Sequence, residues 1–161
     1  MLTTAQAWDI LARVPDPEIP AISVTELGIV RDVQAVDEGV DVVVTPTYSG
    51  CPATEVIERS IREALSAAGA RDVRVRQQLS PAWSTDWIAE DARERLRAYG
   101  IAPPGEWPVG GAQPLSFVPR VSCPRCGSAD TERLSQFGST ACKALYRCRA
   151  CREPFEYFKP L

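Results

Sequence analysis

Six cysteines and no histidine set the terms for any chemistry this chain can do. Four of the cysteines form two C-x-x-C knuckles, Cys123-Pro124-Arg125-Cys126 and Cys148-Arg149-Ala150-Cys151, separated by residues 127–147. Two such pairs supply four thiolates, the donor set of a closed, structural zinc ribbon. Mononuclear iron accepts the same donors and is the second choice of metal. Disulfides are the weaker alternative in a chain that reads as intracellular. Gly127 follows the first knuckle, where a tight turn lets backbone amides reach the sulfurs. A segment of about 40 residues buries too little apolar surface to fold alone, so the metal would contribute directly to its folding.

The fifth cysteine is distinguished by its place in Val40–Leu65, VDVVVTPTYSGCPATEVIERSIREAL. Val40, Val42 and Val44 alternate as in a strand, and the run Val42–Val44 suggests burial on both faces. Tyr48-Ser49-Gly50-Cys51-Pro52 breaks the pattern, after which Val56, Ile57, Ile61, Ala64 and Leu65 recur at helical spacing. Pro52 suits the first turn of a helix, so Cys51 is expected at a helix N-terminus. Unpaired N–H groups and the positive end of the dipole favour a thiolate there. Such a sulfur would serve as a nucleophile, a metal or cluster ligand, or a redox thiol. The competing reading is a small buried cysteine filling a strand–helix corner.

Cys142 lies between the knuckles in Phe137-Gly138-Ser139-Thr140-Ala141-Cys142-Lys143. An adjacent lysine favours a reactive thiolate; packing beneath the ribbon is the alternative. Asp16 and Glu18 sit in Asp16-Pro17-Glu18-Ile19-Pro20, a segment stiffened by its prolines. Two carboxylates there could bind a cation or accept backbone amides, or Asp16 is simply the turn residue that stops the first helix. The missing histidines remove Ser-His-Asp and Cys-His catalysis, histidine-ligated haem and two-histidine, one-carboxylate iron.

The elements that must position these groups follow from spacing. Thr3-x-x-Gln6 is a capping box for a short helix with Ala7, Trp8, Leu11 and Val14 on one face, stopped by Pro15. Ser23–Leu27 reads as a helical turn ended by Gly28. Ile29–Val36 and Val40–Thr47 read as a hairpin about Asp37-Glu38-Gly39. The Cys51 helix should end at Gly69, and Val73–Arg76 alternates as a third strand. Helix, strand, strand, helix, strand makes an α+β domain: a small three-stranded sheet with packed helices. Beyond it, Ser84 or Thr85 is expected to cap a helix carrying Trp87, Ile88, Ala92, Leu96 and Tyr99, stopped by Gly100. Ile101–Pro114 is rich in Pro and Gly and reads as a linker. The domains are thus expected at 1–80 (α+β), 81–114 (helix and linker) and 115–161 (zinc ribbon), with ribbon strands at Thr131–Gln136, Leu145–Arg147 and Phe155–Phe158.

A chain of 161 residues, 45% hydrophobic and 24% charged, reads as globular. No apolar run reaches the roughly 20 residues of a membrane span, and the first residues carry no signal-peptide pattern, so a cytoplasmic location is expected. Residues 115–161 hold eight Lys/Arg and four Asp/Glu, net +4, against net −7 for residues 1–114. That excess is modest, and Arg149 and Arg152 offset thiolate charge, so nucleic acid is not the expected partner.

The residues resemble a known combination. Asp16-Pro17-Glu18-Ile19-Pro20, Leu27-Gly28-Ile29-Val30 and Thr45-x-Thr47-Tyr48-Ser49-Gly50-Cys51-Pro52 look like the SufT-like domain of iron–sulfur maturation factors. Phe137-Gly138-Ser139-Thr140-x-Cys142-Lys143-Ala144-Leu145 between two knuckles, with Pro81-x-Trp83-Ser84-x-Asp86-Trp87-Ile88, is similar to the PaaD family. That family supplies the D component of the phenylacetyl-CoA epoxidase of phenylacetate catabolism, a multicomponent di-iron monooxygenase with a 2Fe–2S reductase. The resemblance implies an accessory subunit without catalytic activity of its own. It would mature the iron–sulfur or iron centre of that enzyme, with monooxygenase components, including the reductase, as partners. Cys51 would ligate a transient iron–sulfur cluster, aided by Asp16, Glu18 or Cys142, with further ligands from a client or from a symmetric homodimer. The zinc ribbon would dock. A structural adaptor without iron chemistry is the alternative, and a thiol oxidoreductase using Cys51 and Cys142 is a third reading.

Overall fold

The computed structural model describes residues 1–37, 39–105 and 120–161. Glu38 of the hairpin turn, and Pro108, Gly110, Gly111 and Pro114 of the expected linker, lie outside the described residues. The chain divides into two compact units, Met1–Ala92 and Arg93–Leu161.

In the first unit, α1 (Thr4–Leu11) opens with the capping box: Thr3 Oγ1 accepts from Gln6 N–H while the Gln6 side chain returns to the Thr3 backbone. β1 (Val30–Val36) pairs antiparallel with β2 (Gly39–Val44), and β3 (Asp72–Gln77) pairs with β2 in parallel. Parallel neighbours need a crossover, which α2 (Ala53–Ala67) provides. The order β1-β2-β3 puts the valine-rich strand in the middle. Val40, Val42 and Val44 point to the helix-covered face, where Ala7, Leu11, Val33, Ile57, Ile61 and Leu65 are buried with them. The other face pairs Gln34, Asp41 and Arg74 in one row and Asp32, Val43 and Arg76 in the next, so it meets water. The sheet is thus buried on one side only, and the expectation of burial on both faces of Val42–Val44 is corrected: Val43 remains partly accessible.

The segment after β3 differs from its expectation. Ser84 caps only a single 3-10 turn, Thr85–Trp87, because Ile88 is extended (ψ 126°) and the Ala89 N–H is taken by the Glu26 carbonyl. The regular helix α3 begins later, at Glu90, and runs to Tyr99, which is exposed. Residues 81–89 instead form a strap over the Leu27–Gly28 turn. Trp83, 4% exposed, donates its Nε1–H to the Leu27 carbonyl at 3.0 Å, and the Arg31 guanidinium stacks on Trp87 at 3.6 Å.

The second unit is a four-stranded sheet in the order β4-β7-β6-β5, comprising β4 (Ile101–Ala102), β5 (Thr131–Ser135), β6 (Lys143–Cys148) and β7 (Pro154–Phe158). The start of the expected linker is therefore structured: Ile101 and Ala102 are buried and pair in parallel with β7. Its core joins Ala102, Val121, Ala144, Tyr146, Phe155 and Tyr157 to the sulfurs of Cys123 and Cys148. Tyr146 stacks on Phe155 and meets Tyr157 edge-on, with centroids 5.8 and 5.6 Å apart.

Candidate functional site

The two knuckles converge. The Sγ atoms of Cys123, Cys126, Cys148 and Cys151 all lie within 4.8 Å of one another. The Cys123–Cys151 and Cys126–Cys148 separations are 3.8 and 3.5 Å. A tetrahedral metal with bonds of about 2.3 Å to sulfur spaces its ligands by roughly 3.8 Å, so the four sulfurs fit such an ion.

Local backbone explains the convergence. Gly127 adopts φ +75° and donates to the Cys123 carbonyl at 2.9 Å, closing the first knuckle. Arg152, at φ +65°, turns the second, and the Cys151 N–H points at Cys148 Sγ from 3.5 Å. That amide draws the Cys148 thiol down to about 7. At Cys151 the Glu153 backbone works the same way, but burial and the neighbouring sulfurs prevail and push it up to about 12. Four adjacent thiols do not all ionise unless a cation compensates them, which is what a dication supplies. Cys123 and Cys148 are buried, while Cys126 and Cys151 are exposed. Glu132 sits beside the knuckle, held below the usual carboxylate range by hydrogen bonds from Arg147 and Arg149. Arg149 is thereby committed to Glu132 and Asp130 rather than to the sulfurs.

Cys51 lies in the turn before α2. It is partly accessible, and its carbonyl accepts the Thr54 N–H at 3.1 Å. Gly50 is at φ +80° with nothing near the position a Cβ would occupy, so the turn is open to solvent. Pro52 is the N-cap rather than the first helical residue, and no side chain caps the helix. Upstream, Thr45 donates its N–H to the Ile29 carbonyl at 2.8 Å. It is 1% exposed, and its hydroxyl is the one buried side-chain polar atom without a hydrogen-bond partner among the described residues. Thr45 heads the motif that resembles the SufT-like domain, but its orphaned hydroxyl was not legible there, because that is a property of packing.

Asp16 is 5% exposed and its Oδ1 accepts the N–H groups of Glu18 at 2.9 Å and Ile19 at 2.8 Å. A Pro15–Ser23 bridge and the Asp16 N–H to Ile22 carbonyl bond close this loop. Among the described residues, Asp16, Glu18 and Cys51 do not converge as a three-ligand metal set; the ribbon cysteines are the group that does. Cys142 is buried at 5% in the ribbon unit, its sulfur 3.1 Å from Thr140 Oγ1. The Lys143 ammonium is paired with Glu156 at 2.9 Å. No helix among the described residues is long and apolar enough to cross a membrane.

Comparison with known proteins agrees with both halves. Residues 4–76 match the iron-sulfur cluster assembly protein family, and residues 113–159 match the PaaD zinc beta ribbon domain. The chain is 54% identical over 154 residues to a protein of Escherichia coli (strain K12) named as the D component of a "Putative 1,2-phenylacetyl-CoA epoxidase", covering 96% of this chain and 91% of that one. It is 34% identical over 89 residues to the "Fe-S protein maturation auxiliary factor" of Porphyromonas gingivalis, covering 54% of this chain and 84% of the relative. Among solved structures, a domain of unknown function (DUF59) from Bacillus anthracis superposes with a TM-score of 0.54 at 26% identity, covering 58% of this chain and 90% of that one. A conserved hypothetical protein from Thermotoga maritima gives 0.51 at 29%, covering 59% and 94%. With a relative this similar along nearly its whole length, and a four-cysteine ribbon that matches the PaaD domain, the chain belongs to the PaaD family.

Proposed function

We propose that this chain is an accessory subunit of a 1,2-phenylacetyl-CoA epoxidase and that it matures the iron–sulfur or iron centre of another component of that enzyme. The observation that carries the reading is the division of labour among its cysteines. Four are gathered into a site that would hold a structural metal, and one, Cys51, is left accessible in an open turn of the region that matches iron–sulfur assembly proteins. The ribbon metal is zinc. It has no redox chemistry of its own, takes four thiolates in a closed shell, and so folds the ribbon rather than reacting.

The cluster is cargo. Cys51 offers one thiolate to it, and the remaining ligands come from the client or from a second copy. Transfer is then ligand exchange: a client thiolate takes the iron coordination that Cys51 gives up, and no electron moves. A partly exposed sulfur beside Gly50 suits such exchange, because an incoming thiolate can reach the iron. The Asp16 carboxylate supports the Asp16–Ile22 loop by accepting the backbone N–H groups of Glu18 and Ile19, and Glu18 lies on that loop. Cys142 packs inside the ribbon and takes no part.

The test is iron, sulfide and zinc analysis of anaerobically purified protein, wild type beside Cys51→Ala, followed by transfer from a reconstituted chain to the apo-reductase. One zinc per chain in both proteins is expected, with transfer by the wild type only. Equal transfer by Cys51→Ala would remove the assembly role.

A further inference from the structure

The ribbon contains a charge pair that its metal does not need, a buried lysine on a partly buried glutamate. Lys143 is 2% exposed, and its Nζ lies 2.9 Å from Glu156 Oε2. Glu156 Oε1 accepts the Ser139 N–H at 2.6 Å, and Gly138 donates to the Lys143 carbonyl at 2.7 Å. A Cβ on Gly138 would stand 2.6 Å from that same carboxylate oxygen, so glycine lets the turn close on it. Such ion pairs return little stability relative to apolar packing; this one ties Lys143 and the Ser139 amide to a single carboxylate. The geometry fixed here is a surface turn.

That turn presents Phe137, which is 59% exposed. The Lys159 ammonium lies 4.6 Å from the ring centroid and donates to the Gln136 carbonyl at 3.1 Å. Three residues earlier, the β5–β6 register shifts between Arg133 and Ser135, which leaves Leu134 without a cross-strand partner and 50% exposed. A bulge of this kind re-aims a side chain. Both residues belong to the outermost strand of the sheet and its turn. An exposed aromatic whose ring already rests against a neighbouring ammonium has less freedom to lose on contact than a free one, and aromatics of this kind are favoured as interface anchors. Charge selects the partner. The cations on the neighbouring strand and the turn after it are matched internally, Lys143 by Glu156 and Arg147 and Arg149 by Glu132. Arg133 and Lys159 make no ion pair among the described residues.

We propose that the edge strand β5 and the turn after it, through the exposed Leu134 and Phe137 and the cations Arg133 and Lys159, are the surface through which this chain docks on its client, an epoxidase component that offers apolar side chains with acidic residues around them. This rests on the reading that the chain serves the epoxidase. The experiment measures binding of the zinc-loaded full chain to each separately purified epoxidase component, with zinc content confirming that every variant is folded. Wild type binds one component, more weakly as salt rises. Phe137→Ser, and the double variant Arg133→Glu with Lys159→Glu, bind at least tenfold more weakly. Leu79→Ser, an exposed apolar position in the first unit, binds as wild type. Unchanged binding of Phe137→Ser overturns the proposal. So does wild type binding no component, or a concentration-dependent dimer that Phe137→Ser abolishes, since the surface would then belong to a second copy. The two readings fail separately: Cys51→Ala should bind normally and not transfer, whereas Phe137→Ser should lose binding and transfer together.

Discussion

Gly28→Ala tests the strap that holds the entry to the Cys51 loop. Gly28 has φ +77°, where a side chain costs about 1–2 kcal/mol. An added Cβ would also lie 2.7 Å from Trp87 Cβ and 2.8 Å from the Trp87 carbonyl oxygen. Neither atom is the far end of a flexible side chain, so the strap itself must move, and overpacking of this kind costs about 1–3 kcal/mol. The sum is about 2–5 kcal/mol for the first unit. The effect should reach the site, because Ile29, the next residue, accepts the Thr45 N–H at the start of the loop that ends in Cys51. Urea unfolding followed by tryptophan fluorescence reads it, since Trp83 and Trp87 are in the strap. With a slope near 1.5 kcal/mol per molar for a unit of this size, the midpoint should fall by roughly 2 M. A midpoint within 0.3 M of wild type, as an order-of-magnitude criterion, with unchanged native fluorescence, would refute the packing argument.

Two further outcomes are expected. Cys148→Ser removes one of the four clustered sulfurs, which is also part of the ribbon core, and if they hold zinc the stoichiometry should drop from one to near zero with loss of ribbon β-structure by circular dichroism; retained zinc would move the metal elsewhere. At Glu156, burial raises the carboxyl, but the Ser139 N–H and the Lys143 ammonium outweigh it and hold it below the ordinary value of 4.5. A carboxyl depressed in the folded state contributes stability above its ordinary value and loses it as pH falls through the depressed one. Glu156→Gln should therefore cost about 3 kcal/mol at pH 7, because it leaves Lys143 buried and unpaired. In denaturant unfolding the gap to wild type should hold to roughly pH 4.5 and close below it; a gap that widens on acidification would contradict the assignment.

What the sequence made legible was local. The valine alternation, the break at Gly50 and the period after Pro52 placed Cys51 between β2 and α2, and the knuckle spacing placed the ribbon sulfurs. The capping box formed as read because both partners lie within three residues. Interactions between distant segments were not legible. The strap depends on Trp83 finding Leu27 across 56 residues, and nothing in the pattern at 84–99 distinguished a continuous helix from a turn whose next amide goes to Glu26. The Lys143–Glu156 pair is a diagonal cross-strand neighbour, since Lys143 faces Phe158, and it becomes visible only once the β6–β7 register is known. Asp16 showed the reverse case. Its spacing allowed a cation, but the prolines bring the amides of Glu18 and Ile19 to it first.

Thr45 joins stability to function most directly. Its hydroxyl is buried and unpartnered among the described residues, and an unsatisfied buried hydroxyl costs about 1–3 kcal/mol. Valine keeps the branched shape, which suits the end of a strand, and removes the orphan. Thr45→Val should therefore be at least as stable as wild type, by up to about 1 kcal/mol in urea unfolding. A hydroxyl retained despite that penalty is the kind of local conflict found at working sites, where activity and stability pull apart. If the loop from Thr45 to Cys51 handles the cluster, the more stable variant should transfer it more slowly to the apo-reductase. Lower stability in Thr45→Val would mean that the hydroxyl is satisfied within the fold, and its link to transfer would go with it.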